Sequence, residues 1–130
     1  MCGIIGIVGD TSVSGRLIES LRRLEYRGYD SAGVAGVVGG HVERRRAEGK
    51  LGNLEQVLAA DPLIATVGIG HTRWATHGAP VIRNAHPHTA GRVTLVHNGI
   101  IENFAELKAE LKAKGHVFES ETDKIGRAHV

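Results

Sequence analysis

Cysteine is almost absent from this chain. Cys2 is the only one in 130 residues, and it sits directly behind Met1. A single thiol makes no internal disulfide, which argues against a secreted, disulfide-stapled scaffold. Aromatics are scarce as well: one Trp, two Tyr and two Phe give no stacking platform for single-stranded nucleic acid. Neither sign of charge dominates. Sixteen Lys and Arg face fourteen Asp and Glu, a net charge of +2, too close to balance to imply a nucleic-acid or membrane partner. No apolar run is long enough to span a bilayer. The stretch "IIGIV" near the start is too short, and lacks the basic flank, for a signal peptide. What remains is the expectation of a cytoplasmic enzyme or binding domain. Its hydrophobic fraction of 42% is ordinary for a globular chain of this size.

The pattern of the chain predicts mixed strands and helices. "GIIGIV" (3–8) reads as a short buried strand. Leu17, Ile18, Leu21 and Leu24 share one helical face, and Gly28 follows as a stop. "SAGVAGVV" and "HVERRR" are strand candidates joined by Gly39-Gly40, a hairpin signal. The basic run from Glu43 to Lys50 is broken by acids and reads as a solvated strand or turn. In "NLEQVLAADP", Asn53 and Gln56 have capping-box spacing and Pro62 is a stop. "ATVGIGHT" and "RVTLVH" look like strands. "NFAELKAELKAKG" is the clearest helix: Asn103 is its cap, Phe104, Leu107 and Leu111 its inner stripe, Glu110–Lys114 a favourable pair and Gly115 its end. Strands and helices with hairpin signals among them predict layered α and β elements containing antiparallel sheet.

Three stretches carry chemistry. If Met1 is removed, Cys2 holds a thiol and a free α-amino group on one residue. An ordinary α-amine titrates near roughly 7.7–8.0 and a thiol near about 8.5, so the amine can take the thiol proton, as in the N-terminal threonine enzymes. On position alone, an incidental terminal cysteine is the simpler reading. "HTRWATHG" (71–78) packs Arg73, Trp74, Thr76 and His77 behind a strand. Arg73 can clamp a carboxylate with two N–H groups, and Thr76 and His77 add donors; a polar turn plugged by Trp74 is the alternative. "VHNGIIEN" (96–103) contains Asn98-Gly99. By itself this is a hairpin turn; in a catalytic setting, the Asn98 amide and the Gly99 N–H can form an oxyanion hole. His86 and His88 in "NAHPH" invite a metal, but the spacing is wrong for zinc and Cys2 is the only sulfur ligand. No metal or cofactor is expected, and these histidines are read as structural.

"MCGIIGIVG", "LRRLEYRGYDSAG", "HTRWATHG", "NAHPH", "VHNGIIEN" and "SETD" occur here in an order that resembles class II glutamine amidotransferase domains. The resemblance covers Met1 to about Asp123. It is strongest to members that pass ammonia to fructose 6-phosphate. It implies an α+β, N-terminal nucleophile (Ntn) hydrolase fold: a four-layer αββα sandwich of antiparallel sheets, incomplete at the C-terminus. It also implies that Cys2 attacks the side-chain amide of L-glutamine, releasing ammonia and leaving a glutamyl thioester that water cleaves. In such domains the matches of Arg73, Thr76 and His77 hold the α-carboxylate, and the match of Asp123 holds the α-ammonium. The matches of Asn98 and Gly99 form the oxyanion hole. Trp74 matches a residue that gates ammonia, and Arg27 one that orders the site around the cysteine. The resemblance also implies a homodimer for the full-length protein, with fructose 6-phosphate bound only by sugar isomerase domains absent from this sequence. Another class II amidotransferase with a different acceptor, or a glutamine-binding module without turnover, remains open. Residues 1–123 are therefore expected to form a partial glutaminase domain. Residues 124–130, "KIGRAHV", depart from the family; "IGRAHV" matches one reading frame of a sequencing adapter, so an adapter-derived tail is expected, with a genuine divergent C-terminus as the alternative.

Overall fold

A computed structural model describes residues 2–75 and 78–122. Four strands form one antiparallel sheet: β1 (Gly3–Val8), β2 (Ser31–Val38), β3 (His41–Glu48) and β4 (Val67–Arg73), in the order β1-β4-β2-β3. A second, two-stranded antiparallel sheet pairs β5 (His88–Ala90) with β6 (Val93–Leu95). The helices are α1 (Ser14–Arg23), α2 (Leu51–Ala60) and α3 (Phe104–Ala113). Short 3₁₀ turns cover Glu25–Arg27 and Ile82–Asn84. No helix among the described residues is long and apolar enough to cross a membrane.

The period of two along each strand gives the main sheet two different faces. One face packs on α1 and α2. There Leu17, Leu21, Leu51 and Leu54 are fully buried against Val34 and Ala32, each burial being worth about 1.5–3 kcal/mol. The helix comes close because β4 has glycine on this side. A Cβ on Gly68 would lie 2.8 Å from Leu17 Cδ1 and 2.9 Å from the Ala35 carbonyl oxygen, a separation that real side chains do not adopt. The opposite face carries His71 and Arg73 from β4, with Gly33 of β2 in register beside His71. Gly33 again permits contact: a Cβ there would lie 2.0 Å from the carbonyl oxygen of His86. The 85–88 segment is therefore laid directly on the sheet backbone.

Most elements fall where the sequence pattern predicts, with four differences. Helix α2 begins two residues before Asn53, with Lys50 as its cap residue and no side-chain cap. A distant residue does the capping: the Tyr29 hydroxyl accepts from Leu51 N at 2.8 Å while donating to Glu25 at 2.7 Å. Asn53 lies inside the helix and donates to the Glu48 carbonyl at 3.0 Å. Helix α3 does begin after Asn103, without a side-chain cap bond, but its stripe is not an inner one: Leu107 and Leu111 are exposed. Its Lys114–Glu110 pair is present at 2.7 Å, and Gly115 ends it with φ +91°. "RVTLVH" yields only the three-residue β6, and β5 within "PHTA" is not predicted by the pattern. Finally, the arginine run is not solvated. Arg44 donates to Pro87 O at 3.2 Å, Arg46 to Ala85 O at 2.9 Å, and Arg45 to Asp61 O at 2.9 Å. Alternation along β3 sends Arg44 and Arg46 to the second layer and Arg45 past the end of α2, so each guanidinium serves backbone carbonyls that lack a strand partner.

Candidate active site

The second face of the sheet gathers residues distant from one another in the sequence. Strand β1 begins at Gly3 and pairs through Gly3 with Thr72 of β4. Gly3 N also donates to the Thr72 hydroxyl at 3.1 Å. That anchorage delivers Cys2 to the end of β4. Trp74 N donates to Cys2 Sγ at 3.3 Å, and Sγ lies 3.7 Å from Trp74 O. The thiol is partly accessible, as a nucleophile must be.

Asn98, far along the chain, meets the same residue. Its Nδ2 donates to the Cys2 carbonyl at 3.2 Å. Its Oδ1 lies 2.7 Å from His71 Nε2. A carboxamide oxygen only accepts, so the imidazole must donate from Nε2, and this fixes which way the Asn98 amide points. The His71 ring is fully buried and stacks on His86 at 3.9 Å, and His86 abuts His88 at 4.4 Å. Burial, with the Arg46, Arg44 and Arg73 guanidiniums and His71 around it, lowers His88 to about 3. His88 is thus neutral at physiological pH. Among the described residues, no group of three or more His, Cys, Asp or Glu is placed to hold a metal ion.

Gly99 follows Asn98 with φ +151°, in the region that favours glycine. Asn98-Gly99 is not a turn between paired strands; it follows β6 in irregular chain. Arg27, at the end of its 3₁₀ turn, donates from Nη1 to the Cys2 carbonyl at 3.4 Å. Trp74 is 53% exposed, so it is no core plug; its ring edge lies over Gly28, where a Cβ would approach to 3.5 Å. Arg73 is buried, and its guanidinium donates to Ala79 O at 3.0 Å and Gly78 O at 3.3 Å. Thr76, His77 and Asp123 lie outside the described residues.

The structure thus brings together Cys2, Arg27, Trp74 and Asn98, with Gly99 adjacent and Arg73 one residue before Trp74. Two contributors carry no assigned role in the sequence reading. His71 is one. Asp30 is the other: its Oδ2 accepts from Ala75 N at 2.6 Å, while its backbone N–H donates to Arg73 O at 2.7 Å. It therefore fixes the loop on both sides of Trp74. Its signal was a lone acid in "YRGYDSAG", just ahead of an apolar strand.

A glutamine amidotransferase domain model matches residues 57–125. That is more than half of the sequence. The chain belongs to the glutamine amidotransferase domain family. The matched span holds Asn98, Gly99, Arg73 and Trp74, while Cys2 and Arg27 precede it. Among relatives, the amidotransferase domain is 80% identical over 123 residues to the glutamine–fructose-6-phosphate aminotransferase (isomerizing) of Caulobacter vibrioides, covering 95% of this chain and 20% of that protein. It is 64% identical over 130 residues to the protein of the same name from Brucella suis biovar 1, and 67% identical over 131 to that of Gluconobacter oxydans. The chain spans about a fifth of the length of these relatives. Among solved structures, an allosteric regulatory enzyme of purine biosynthesis superposes with a TM-score of 0.77 at 25% identity, over 92% of this chain and 27% of that one. The glutamine phosphoribosylpyrophosphate amidotransferase of B. subtilis superposes with a TM-score of 0.72 at 24% identity, over 91% and 26%. The fold is the α+β, antiparallel Ntn hydrolase arrangement of these amidotransferases.

Proposed function

We propose that the domain hydrolyses the side-chain amide of L-glutamine with Cys2 as an N-terminal nucleophile. The observation that carries this reading is the Asn98 amide, 96 residues along the chain from Cys2, which donates to Cys2 while His71 holds its oxygen. Removal of Met1 frees the α-amine of Cys2, which takes the thiol proton. The thiolate attacks the amide carbon, and the oxygen that gains charge is met by the Asn98 Nδ2 and the Gly99 N–H. The C–N bond then breaks, the α-ammonium returns its proton to the leaving nitrogen, and ammonia departs. A glutamyl thioester remains. Water adds to it with the α-amine again as base, the C–S bond breaks, and glutamate leaves.

Arg73 and Asp123 are the cation and anion that a zwitterionic substrate requires, with Thr76 and His77 beside the α-carboxylate. Arg73 exchanges its hold on the Gly78 and Ala79 carbonyls for that carboxylate when glutamine arrives. Trp74, exposed next to the sulfur, gates the route by which ammonia leaves. Arg27 holds the Cys2 carbonyl and so orders the terminus. In the longer protein, ammonia passes to fructose 6-phosphate to give glucosamine 6-phosphate in separate sugar isomerase domains, within a cytoplasmic homodimer. The relatives' shared name supports that acceptor. Residues 1–123 form the glutaminase part, and the 124–130 tail is foreign to it; the match to the Caulobacter relative runs over 123 residues, whereas those to the Brucella and Gluconobacter relatives run over the whole chain. Cys2→Ala in a full-length protein carrying this chain tests the proposal. Ammonia release from glutamine is abolished while glutamine binding persists. Turnover that survives the substitution refutes it.

A further inference from the structure

A second polar cleft lies on the same side of the sheet, beyond the edge strand β3 and away from Cys2. It encloses roughly 340 Å³, its open mouth included, and is lined by Arg44, Arg46, Arg83, His88, Thr89 and Glu119 among others. Its charge is not balanced. Glu119 is the one carboxylate on its wall and lies 4.0 Å from Arg44. Arg83 is paired with Glu121. Arg46 has no ion-pair partner among the described residues; its bonds go to the Ala85 and Arg83 carbonyls. Burial and the neighbouring Arg44 lower Arg46 to about 10, against the opposing pull of Glu119. A half-buried cation so poorly compensated is costly unless an anion visits it. A second observation is independent of the charge. His88 is 96% buried, counting from its 4% exposure, and its Nε2 has no hydrogen-bond partner. The residue lines this cleft, and in the tautomer protonated at Nε2 a neutral imidazole has an N–H to give.

We infer that this cleft is an oxyanion site that takes a phosphate or phosphate monoester, held by Arg44 and Arg46 with Arg83 at the mouth and the His88 Nε2–H from behind. Guanidinium donors on several walls, with an imidazole N–H between them, suit a tetrahedral anion better than a flat carboxylate. Glu119 faces the same space and limits affinity, so the anion must displace it from Arg44. The site is distinct from the glutamine pocket: none of Cys2, Arg73 or Asn98 lines it. It is nonetheless close to it in the fold, since His88 is the last of the three contacting imidazoles that begin with His71 beside Asn98.

Hydrogen exchange resolved by peptide tests the site in the full-length protein without relying on activity. Inorganic phosphate is titrated at constant ionic strength, with chloride as the balancing ion. Segments 83–90 and 117–122 should gain saturable protection with phosphate and with sulfate, and much less with acetate. Arg83→Gln, an exposed position safe for folding, should raise the phosphate midpoint at least tenfold, and Arg46→Met should do so more strongly. Three results overturn the inference: no protection of those segments, equal protection by chloride or acetate, or midpoints unchanged in both variants.

Discussion

Removing the His71 side chain should weaken catalysis through Asn98 alone. His71 touches neither Cys2 nor, on the mechanism above, the substrate; it holds the Asn98 carboxamide through a 2.7 Å bond to Oδ1. A net hydrogen bond is worth about 0.5–1.5 kcal/mol, and about 1.4 kcal/mol is a factor of ten in rate. Loss of the bond frees the amide to rotate and lowers the fraction aimed at the oxyanion by up to about tenfold. Deleting an oxyanion donor outright costs about 10²–10³-fold in kcat, which sets the ceiling. His71→Ala should therefore lower kcat for ammonia release about tenfold with KM for glutamine little changed, and Asn98→Ala should lower it about a hundredfold or more. His71→Gln, which keeps an N–H donor, should recover most of the loss and guards against a packing effect under the stacked His86. The double variant decides the matter. If His71 acts only by orienting Asn98, adding His71→Ala to Asn98→Ala costs nothing further. Multiplicative losses, or a rise in KM without a fall in kcat, would refute the reasoning.

Other outcomes follow from the same geometry. Arg73→Lys keeps the charge but loses the planar two-pronged donor, so KM for glutamine should rise by a factor equivalent to about 2–4 kcal/mol; an unchanged KM removes Arg73 from the carboxylate site. Gly33→Ala should destabilise the protein and shift the 85–88 segment, because its Cβ would lie 2.0 Å from the His86 carbonyl oxygen; a thermal midpoint equal to that of the parent would contradict the close packing. His88 is lowered to about 3 in the folded state against an unfolded value near 6.5, so the unfolded chain binds more protons between those values. Its contribution is whole above about 6.5 and is lost as pH falls toward 3. The urea midpoint should fall with acidification over that window and less so in His88→Gln; parallel curves would show that His88 is not held neutral by the fold. The 130-residue chain expressed alone should release little ammonia and unfold over a broad range. Exposed Leu107, Leu111 and Val117, together with Val8, Val37 and Val42 on the sheet, leave apolar surface uncovered. A sharp thermal transition with near-full turnover would contradict this.

The strands and helices were legible where local pattern and tertiary need agree. The leucine stripe of α1, the Gly39-Gly40 hairpin and the Gly115 stop each state their role within a few residues, and the structure keeps all three. The start of α2 was not legible, because its cap is the hydroxyl of Tyr29, supplied across the fold. The arginines of β3 read as solvated because alternating polar residues on an edge strand usually are; their carbonyl partners at 61 and 85–87 are distant in sequence. Cys2, Arg27, Trp74 and Asn98 converge as the motif order implied, with no single spacing revealing it. Asp30 and His71 escaped for a different reason. Each acts on another residue's orientation, and such a role leaves no trace in composition or period.

On the proposed mechanism Cys2, with Met1 gone, carries the acyl group. Rapid acid quench of the full-length protein during glutamine turnover, followed by mass analysis of its N-terminal peptide, tests it directly. The expected product is a peptide that begins at Cys2 and bears one glutamyl group, absent from the Cys2→Ala protein and accumulating most in variants with slow hydrolysis of the thioester. An active protein that retains Met1, or a glutamyl group found on any residue other than Cys2, would contradict it.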